Sequence, residues 1–198
     1  PANTNADFAR VRARAQLAQM EAAGLDPMRF AALAESLRPH ADALDRAALA
    51  LIEVSAAFED DLIILNLNAW AASAAVQQRA LSVLLLAAGG GEAEPPAEQV
   101  DALLPQVLSP AFQGATLAGA WLKPERRGLV IRRDPGALSG RADGASALPP
   151  LALRANEEAV WDRRVALSVG ESGWSLAANT GAPLLTRADT TRPLTAVP

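Results

Sequence analysis

Apolar positions at helical spacing recur through the first half of the chain and predict two long helices there. Thr4 or Asn5 can cap the first helix, which we expect to run to about Ala23. Gly24 then ends it, because glycine accepts the left-handed backbone that follows many helices. Asp26 can cap the second helix, and the proline after it suits the first helical position.

The second helix is expected to bury one long face. Its apolar or small positions recur every three or four residues and are Phe30, Leu33, Leu37, Ala41, Leu44, Ala48, Leu51, Ser55 and Phe58. Pro39 interrupts this pattern. It lacks a backbone N–H and is expected to kink or break the helix near 37–38.

The middle of the chain predicts two more helices and one short apolar segment. The helices are expected at 69–88 and 97–108, with residues 89–96 (GGGEAEPP) as a flexible loop between them. Leu62–Leu65 (LIIL) follows an acidic run and fits either a strand or a buried helical turn.

The pattern changes to strand-like alternation after residue 110. Residues 115–122 and 129–133 alternate, and 123–128 (KPERRG) supplies turn residues, which predicts a hairpin. Residues 134–158 read as a long loop, 160–169 as a third strand, and the tail from residue 170 as loosely ordered. The sequence therefore predicts an α+β protein, mainly α-helical in its N-terminal two-thirds and followed by a small antiparallel β region.

Composition removes several classes of site. The 198 residues include no cysteine, which excludes disulfides, thiol nucleophiles and cysteine metal sites. The single histidine, His40, excludes a multi-histidine metal centre. No apolar run reaches the length of a membrane span. We expect a cytoplasmic protein that does not associate with membranes.

Charge is distributed unevenly along the chain. The net charge is −4, yet residues 126–198 carry ten arginines against seven acidic residues. An arginine-rich end is a weak indication of an anionic partner. Arginine outnumbers lysine 17 to 1, and a GC-rich genome explains that bias equally simply.

Two groups of arginines are candidate anion contacts. Arg10 and Arg14 are four residues apart and share a helix face, whereas Arg12 points elsewhere. Such guanidinium groups can bind phosphates through charge-assisted hydrogen bonds, although a solvated surface helix explains them too. The second group flanks the predicted hairpin and comprises Arg126, Arg127, Arg132 and Arg133. A basic ribbon can follow a nucleic-acid backbone, and an edge charged against aggregation is equally natural.

Other motifs have simpler explanations than catalysis. Residues 170–173 (GESG) could hold a serine nucleophile only if His40 faces Ser172, which nothing in the sequence indicates. The glycines at 89–91 lack a P-loop lysine and follow a helix, so we interpret them as a linker. Trp121 and Trp161 are expected in the core and Trp174 as an apolar anchor in the tail. The residues alone indicate a soluble helical protein with a small β region and no self-sufficient active site, and anion binding is one of the two explanations of its arginine groups.

A family resemblance extends this picture. The opening residues, PANTNADFARVRAR, resemble the segment that closes the catalytic domain of tRNA(Ile)-lysidine synthases. That family shows Asp-Pro-Ser-Asn, a short acidic spacer and then Arg-x-Arg-x-Arg at the start of a helix. Pro1, Ala2 and Asn3 match the Pro-Ser-Asn part with alanine in place of serine, and the arginine run falls on Arg10, Arg12 and Arg14.

Three later segments resemble the same family in the same order. They are RALSVLLLAAGG (79–90), ATLAGAWLKPERRGLVIRRDP (115–135) and VWDRRVAL (160–167). They are similar to its helical part, its Thr-Leu-Gly-Gly and Ile-x-Arg-Glu strands, and its Trp-Asp-Gly-Arg strand. Asp134 stands where the family has glutamate, and Arg163 where it has glycine. The family's ATP-binding loop, Ser-Gly-Gly-x-Asp-Ser, does not occur in the sequence.

The resemblance implies the C-terminal, tRNA-binding portion of an enzyme that converts the wobble cytidine of isoleucine tRNA to lysidine. Residues 1–25 would be the closing helix of a catalytic domain, 26–110 a helical linker or tRNA-binding domain, and 111–198 a β-rich C-terminal region. The full enzyme would use ATP, Mg²⁺ and lysine, with no cofactor expected on this portion and little activity without the ATP loop. Asn3 and the two arginine groups would contact tRNA or phosphate. Two alternatives are a non-catalytic helical protein-interaction module and an accessory domain of a different amidotransferase or ligase that shares this helical spacer.

Overall fold

The computed structural model describes residues 9–59, 61–140, 147–178, 184–187 and 190–193. The chain divides into two compact units, Pro1–Arg46 and Ala47–Pro198, with the boundary inside the second helix. The fold is α+β. The helices are α1 (Ala9–Ala22), α2 (Pro27–Ser55), α3 (Ala74–Gly89), α4 (Ala97–Val107) and α5 (Pro135–Ser139). A short 3₁₀ helix spans Leu67–Ala69.

Strands occupy much of the remaining described chain. In order they are β1 (Ala56–Glu59), β2 (Leu62–Leu65), β3 (Ala115–Leu117), β4 (Ala120–Glu125), β5 (Gly128–Arg133), β6 (Leu151–Leu153), β7 (Glu158–Trp161), β8 (Val165–Ser168), β9 (Trp174–Ala177), β10 (Leu184–Arg187) and β11 (Thr190–Pro193). Strands begin at residue 56, so the expectation of a mainly helical N-terminal two-thirds is only partly met. LIIL is a strand that pairs with β1 on one side and with β5 on the other.

Local signals place the first two helices as predicted. Gly24 follows α1 with a φ of 75°, the left-handed conformation that glycine adopts without strain. The Asp26 carboxylate accepts a hydrogen bond from Met28 N–H at 2.9 Å and satisfies one free donor at the start of α2. The predicted caps of α1, Thr4 and Asn5, lie outside the described residues.

The prediction of a break at Pro39 is wrong, because α2 continues through it. One proline removes a single intrahelical hydrogen bond, which the rest of a 29-residue helix tolerates. The predicted apolar face is buried only at its end, at Ala48, Leu51 and Ser55. Phe58, the last position of that pattern, lies in β1 instead and is 64% exposed.

The first sheet has five antiparallel strands in the order β1-β2-β5-β4-β3. It joins strands from both sides of residue 110, the predicted domain boundary. One face packs against α2, α3 and α4 to form the larger core, whose fully buried side chains include Leu65, Leu85, Leu122 and Ile131. Burial of these aliphatic groups is the main force that holds the sheet to the helices.

A second, smaller core lies in the C-terminal part. It contains Leu138, Leu153, Trp161 and Leu176, contributed by α5, β6, the β7–β8 hairpin and β9. The expected long loop at 134–158 therefore holds a short helix and a strand, and 160–169 is a hairpin with no single continuous strand. The expectation of a loosely ordered tail is wrong for β9, β10 and β11, which form a sheet with β6.

Candidate nucleic-acid interface

The arginines of α1 are only partly described. Arg12 and Arg14 are exposed on this helix, and the backbone of Arg10 belongs to it. Asn3 lies outside the described residues. The role of these four residues in binding tRNA stays a prediction.

The β4–β5 hairpin presents a different side-chain set on each face. Its strands are paired from Ala120, opposite Arg133, to Glu125, opposite Gly128. Arg126 and Arg127 form the two-residue turn between them. Because successive side chains of a strand point to opposite faces, the buried Leu122 and Ala120 place Trp121 and Lys123 on the side away from the larger core. The sequence interpretation of Trp121 as a core residue is therefore wrong.

Trp121 and its neighbours form a basic and aromatic surface, here called the Trp121 face (Trp121, Lys123 and Arg132). Arg132 pairs with Trp121 across the strands, and its guanidinium carbon lies 4.3 Å from the ring centroid. Lys123 Nζ lies 5.5 Å from the same centroid. Within the residues that the structure describes, neither cation forms an ion pair with a carboxylate, so their charges remain available to an anion.

The hairpin turn carries two more cations at its tip. Arg127 Nη1 lies 2.7 Å from Glu59 Oε2, and both side chains are about half exposed. Such an exposed pair contributes little stability and can exchange partners readily. Arg126 is exposed and has no carboxylate partner in the described ranges. Arg126 is therefore the freer of the two guanidinium groups.

A groove of ≈ 320 Å³, here called the tip groove, opens beside this turn. Its apolar lining includes Val107, Leu129 and the half-buried Phe112, flanked by two prolines. Its polar rim comprises Asn66, Asn68, Ser109, Glu125, Arg126 and Arg127. An apolar lining with a few convergent polar groups is typical of a small-molecule pocket.

Arg133, the last arginine of the predicted basic ribbon, lies inside the fold. Its Nη2 donates to Asp162 Oδ1 at 2.8 Å, and its Nη1 donates to Gly119 O at 3.2 Å and to Gly89 O. The side chain is 12% exposed and that of Asp162 is 3% exposed. Arg133 is therefore a structural residue and a poor candidate for an RNA contact, contrary to the sequence prediction.

Asp162 is shared by a second arginine. Arg164 Nε donates to Asp162 Oδ2 at 2.9 Å, so one buried carboxylate holds two largely buried guanidinium groups. We call Arg133, Asp162 and Arg164 the Asp162 cluster. Asp162 and Arg163 adopt positive φ angles of 52° and 55° in the turn between β7 and β8. Arg163 stands where the resembled family has glycine. Its guanidinium group donates hydrogen bonds to Gly90 O and to the Glu92 carboxylate.

Residues 90–96 connect α3 to α4 as predicted, but the first two glycines of the predicted loop are closely packed. Gly89 ends α3, and a Cβ there would lie 2.1 Å from Ala118 O. Gly90 caps the helix with a φ of 62°, and a Cβ there would lie 2.6 Å from Asp162 O. Because both glycines lack a side chain, the end of α3 can approach the backbone of Ala118, before β4, and of Asp162, in the β7–β8 turn.

Neither a serine triad nor a metal centre emerges from the described chain. Ser172 Oγ accepts a hydrogen bond from Ala155 N–H at 3.2 Å, and His40 is exposed on α2. Over the described ranges, no group of three or more His, Asp or Glu side chains is placed to hold a metal ion. Trp174 packs against the second core, in keeping with its expected role as an anchor.

Sequence reasoning missed several residues of this surface. Trp121 and Lys123 are two residues apart and so lie on one face of a strand. The apolar Ala120 and Leu122, which alternate with them, could have placed both on the outer face. Asn66 and Asn68 gave no signal, because a groove lined by residues 66–68, 107–112 and 124–129 requires the tertiary fold.

No protein-family model, curated protein or solved structure matches the chain. Among the described helices, none combines the length and apolar character needed to span a bilayer.

Proposed function

We propose that this chain is the tRNA-binding portion of an ATP-dependent tRNA(Ile)-lysidine synthase, and that the Trp121 face is its principal RNA contact. The family part of the proposal is supported by the sequence resemblance. The RNA-binding part is supported by the surface chemistry of the β4–β5 hairpin.

The position of Arg132 over Trp121 carries the RNA proposal. The guanidinium carbon of Arg132 lies 4.3 Å from the indole centroid, and a guanidinium group over a ring can still donate N–H groups to an anion. Aromatic rings and arginine planes stack on unpaired bases, and nearby cations bind phosphates. Lys123 supplies a second cation beside the ring. This combination suits a single-stranded or looped RNA segment.

The three later segments of the resemblance contact one another in the fold. Arg133, from the second segment, hydrogen-bonds Gly89 at the end of the first and Asp162 in the third. The family assignment itself rests on the sequence resemblance alone.

The proposal separates binding from chemistry. ATP, Mg²⁺ and lysine would be bound by a domain that carries the Ser-Gly-Gly-x-Asp-Ser loop, which this sequence lacks. There the wobble cytidine would be adenylated, and lysine would displace AMP to give lysidine. The residues of this chain would orient the tRNA, since phosphate contacts position a substrate. Arg10 and Arg14 would lie near the catalytic cleft, where they would contact phosphate or the anticodon loop.

Titration of isoleucine tRNA with the wild-type chain and Trp121→Leu tests this function. Leucine keeps an apolar residue in the strand but removes the stacking surface, so we expect affinity to fall about ten-fold. Trp174→Leu is the matched control, because that ring packs against the smaller core. Equal affinities for the wild type and Trp121→Leu would refute the assignment of RNA binding to this face.

A protein-interaction module remains the second candidate because α2 exposes apolar side chains. Met28, Phe30, Leu33 and Leu37 are 75%, 46%, 54% and 54% exposed, which is unusual for four large apolar residues on one helix. This reading predicts no retention of tRNA at low salt. It also predicts that Leu33→Glu abolishes binding to a protein partner, whereas tRNA binding through the hairpin would be unaffected by that change.

A further inference from the structure

The tip groove is a concave surface site that shares no lining residue with the Trp121 face. We infer that it holds one unpaired nucleotide of the bound RNA, with the base on the apolar lining and the phosphate at Arg126. This inference rests on the proposed function, because the bound RNA supplies the nucleotide. It adds a second, separate contact at the other end of the same hairpin.

The lining suits a flat aromatic ring. Phe112 is half-buried and lies with Pro110 and Pro124 around the groove, while Val107 and Leu129 are 2% and 1% exposed. Val107 and Leu129 belong to the larger core and form the buried floor of the groove, and Phe112 packs against that core. A bound ring would therefore contact mainly Phe112 and the two exposed prolines. Unpaired bases bind proteins by stacking on such surfaces.

The rim supplies hydrogen-bonding groups for the edge of a base. Asn66 Oδ1 accepts from Asn68 N–H at 3.1 Å, which fixes the Asn66 side chain and leaves its amide N–H groups free. The Asn68 side-chain amide has no hydrogen-bond partner among the described residues. An amide both donates and accepts, so it can pair with the polar edge of any nucleobase.

Charge on the rim favours an anionic group beside the ring. Arg126 is exposed on the rim and can hold a phosphate, Arg127 is a second guanidinium group there, and Glu125 contributes one carboxylate. The groove volume of ≈ 320 Å³ falls within the usual range for small-ligand sites.

The groove and the Trp121 face can serve one RNA strand. Four residues (122–125) lie between Trp121 and Arg126, about 17 Å along the hairpin at the usual rise of a strand. Pro124 and Leu129 of the groove lie on the core side of the hairpin, opposite Trp121, so the RNA strand would pass around the turn to reach both contacts. Two contacts at this separation would hold a short single-stranded segment in one register. We therefore expect the groove to raise affinity for RNA that has an unpaired nucleotide at the corresponding position.

The test uses the full chain labelled with ¹⁵N and three separate probes: 5′-UMP, uridine and inorganic phosphate. UMP is expected to shift amide signals at 66–68, 109–112 and 125–128, and phosphate alone to bind more weakly. Arg126→Gln should weaken UMP binding about ten-fold, the effect of one charge-assisted hydrogen bond, and leave uridine binding unchanged. Asn68→Ala should weaken both. The controls are Arg154→Gln and Gln99→Ala, both exposed and outside the groove.

The same variants, titrated with isoleucine tRNA, separate this inference from the proposed function. Weaker tRNA binding by Asn68→Ala, with Gln99→Ala unchanged, supports the nucleotide site. UMP shifts elsewhere, or tRNA affinity indifferent to Asn68→Ala, overturn the inference and leave the Trp121 face intact. Binding of UMP in the groove without any tRNA binding would refute the proposed function and reassign the groove to a free nucleotide.

Discussion

Asp162 Oδ1 lies 2.8 Å from Arg133 Nη2, and this ion pair ties the β7–β8 hairpin to the last residue of β5. The carboxylate is 3% exposed and also binds Arg164. A buried charge that loses its partner remains desolvated without compensation. The contact therefore controls whether the smaller core stays docked on the five-stranded sheet.

Replacement of Asp162 by asparagine should lower the free energy of unfolding by about 3 kcal/mol, because two largely buried guanidinium groups lose their counter-charge. Asparagine tolerates a φ of 52°, so this variant changes the charge without straining the turn. Urea unfolding of the chain measures the loss. Glu92→Gln breaks an exposed pair with Arg163 and should cost less than about 1 kcal/mol. Equal losses in the two variants would contradict the account of the Asp162 cluster.

The change in stability of the Gly89→Ala variant shows whether close packing or helix propensity dominates at this position. Propensity alone predicts a gain of about 1 kcal/mol for alanine in a helix. The structure predicts a loss, because the new Cβ would lie 2.1 Å from the carbonyl oxygen of Ala118. The exposed Ala87→Gly change on the same helix is the control and should cost about 1 kcal/mol. A stabilised Gly89→Ala variant, measured by urea unfolding, would contradict the close approach.

Arg14→Ala tests the proposed position of α1 in the full enzyme. If Arg14 contacts phosphate or the anticodon loop, its loss should lower kcat/KM for lysidine formation by about ten-fold or more. Arg38, an exposed arginine of α2 outside the predicted contact set, provides the Arg38→Ala control. Wild-type turnover with unchanged tRNA affinity in Arg14→Ala would remove this role.

The helices and the first hairpin were predictable because local signals specify them. Gly24 and Asp26 set the helix ends, and LIIL forms a strand, one of the two structures that its sequence allowed. Pro39 misled the prediction, since a long helix tolerates one missing hydrogen bond. The strands after residue 170 were missed because each is only four residues long (WSLA, LLTR and TTRP) within sequence rich in threonine, glycine and proline. Their order in the sheet comes from pairing of β6 with β9, β9 with β10 and β10 with β11.

The candidate site was only partly predictable. The sequence selected Arg132 correctly as a surface cation but grouped it with Arg133, its neighbour on the opposite face of β5. Alternation separates these two residues, yet the burial of Arg133 follows from Asp162, about thirty positions later in the chain. The glycines of 89–91 suggested flexibility, and the side chains that pack against them were not evident from local sequence.

The salt dependence of isoleucine tRNA binding tests the central claim most directly. We predict that log Kd rises with log salt concentration for the wild-type chain, and that Arg132→Gln reduces the slope by about one phosphate contact. Arg154→Gln, an exposed arginine paired with Glu157, should leave the slope unchanged. An absence of binding at low salt, or a slope unaffected by Arg132→Gln, would contradict the proposal that the Trp121 face binds RNA.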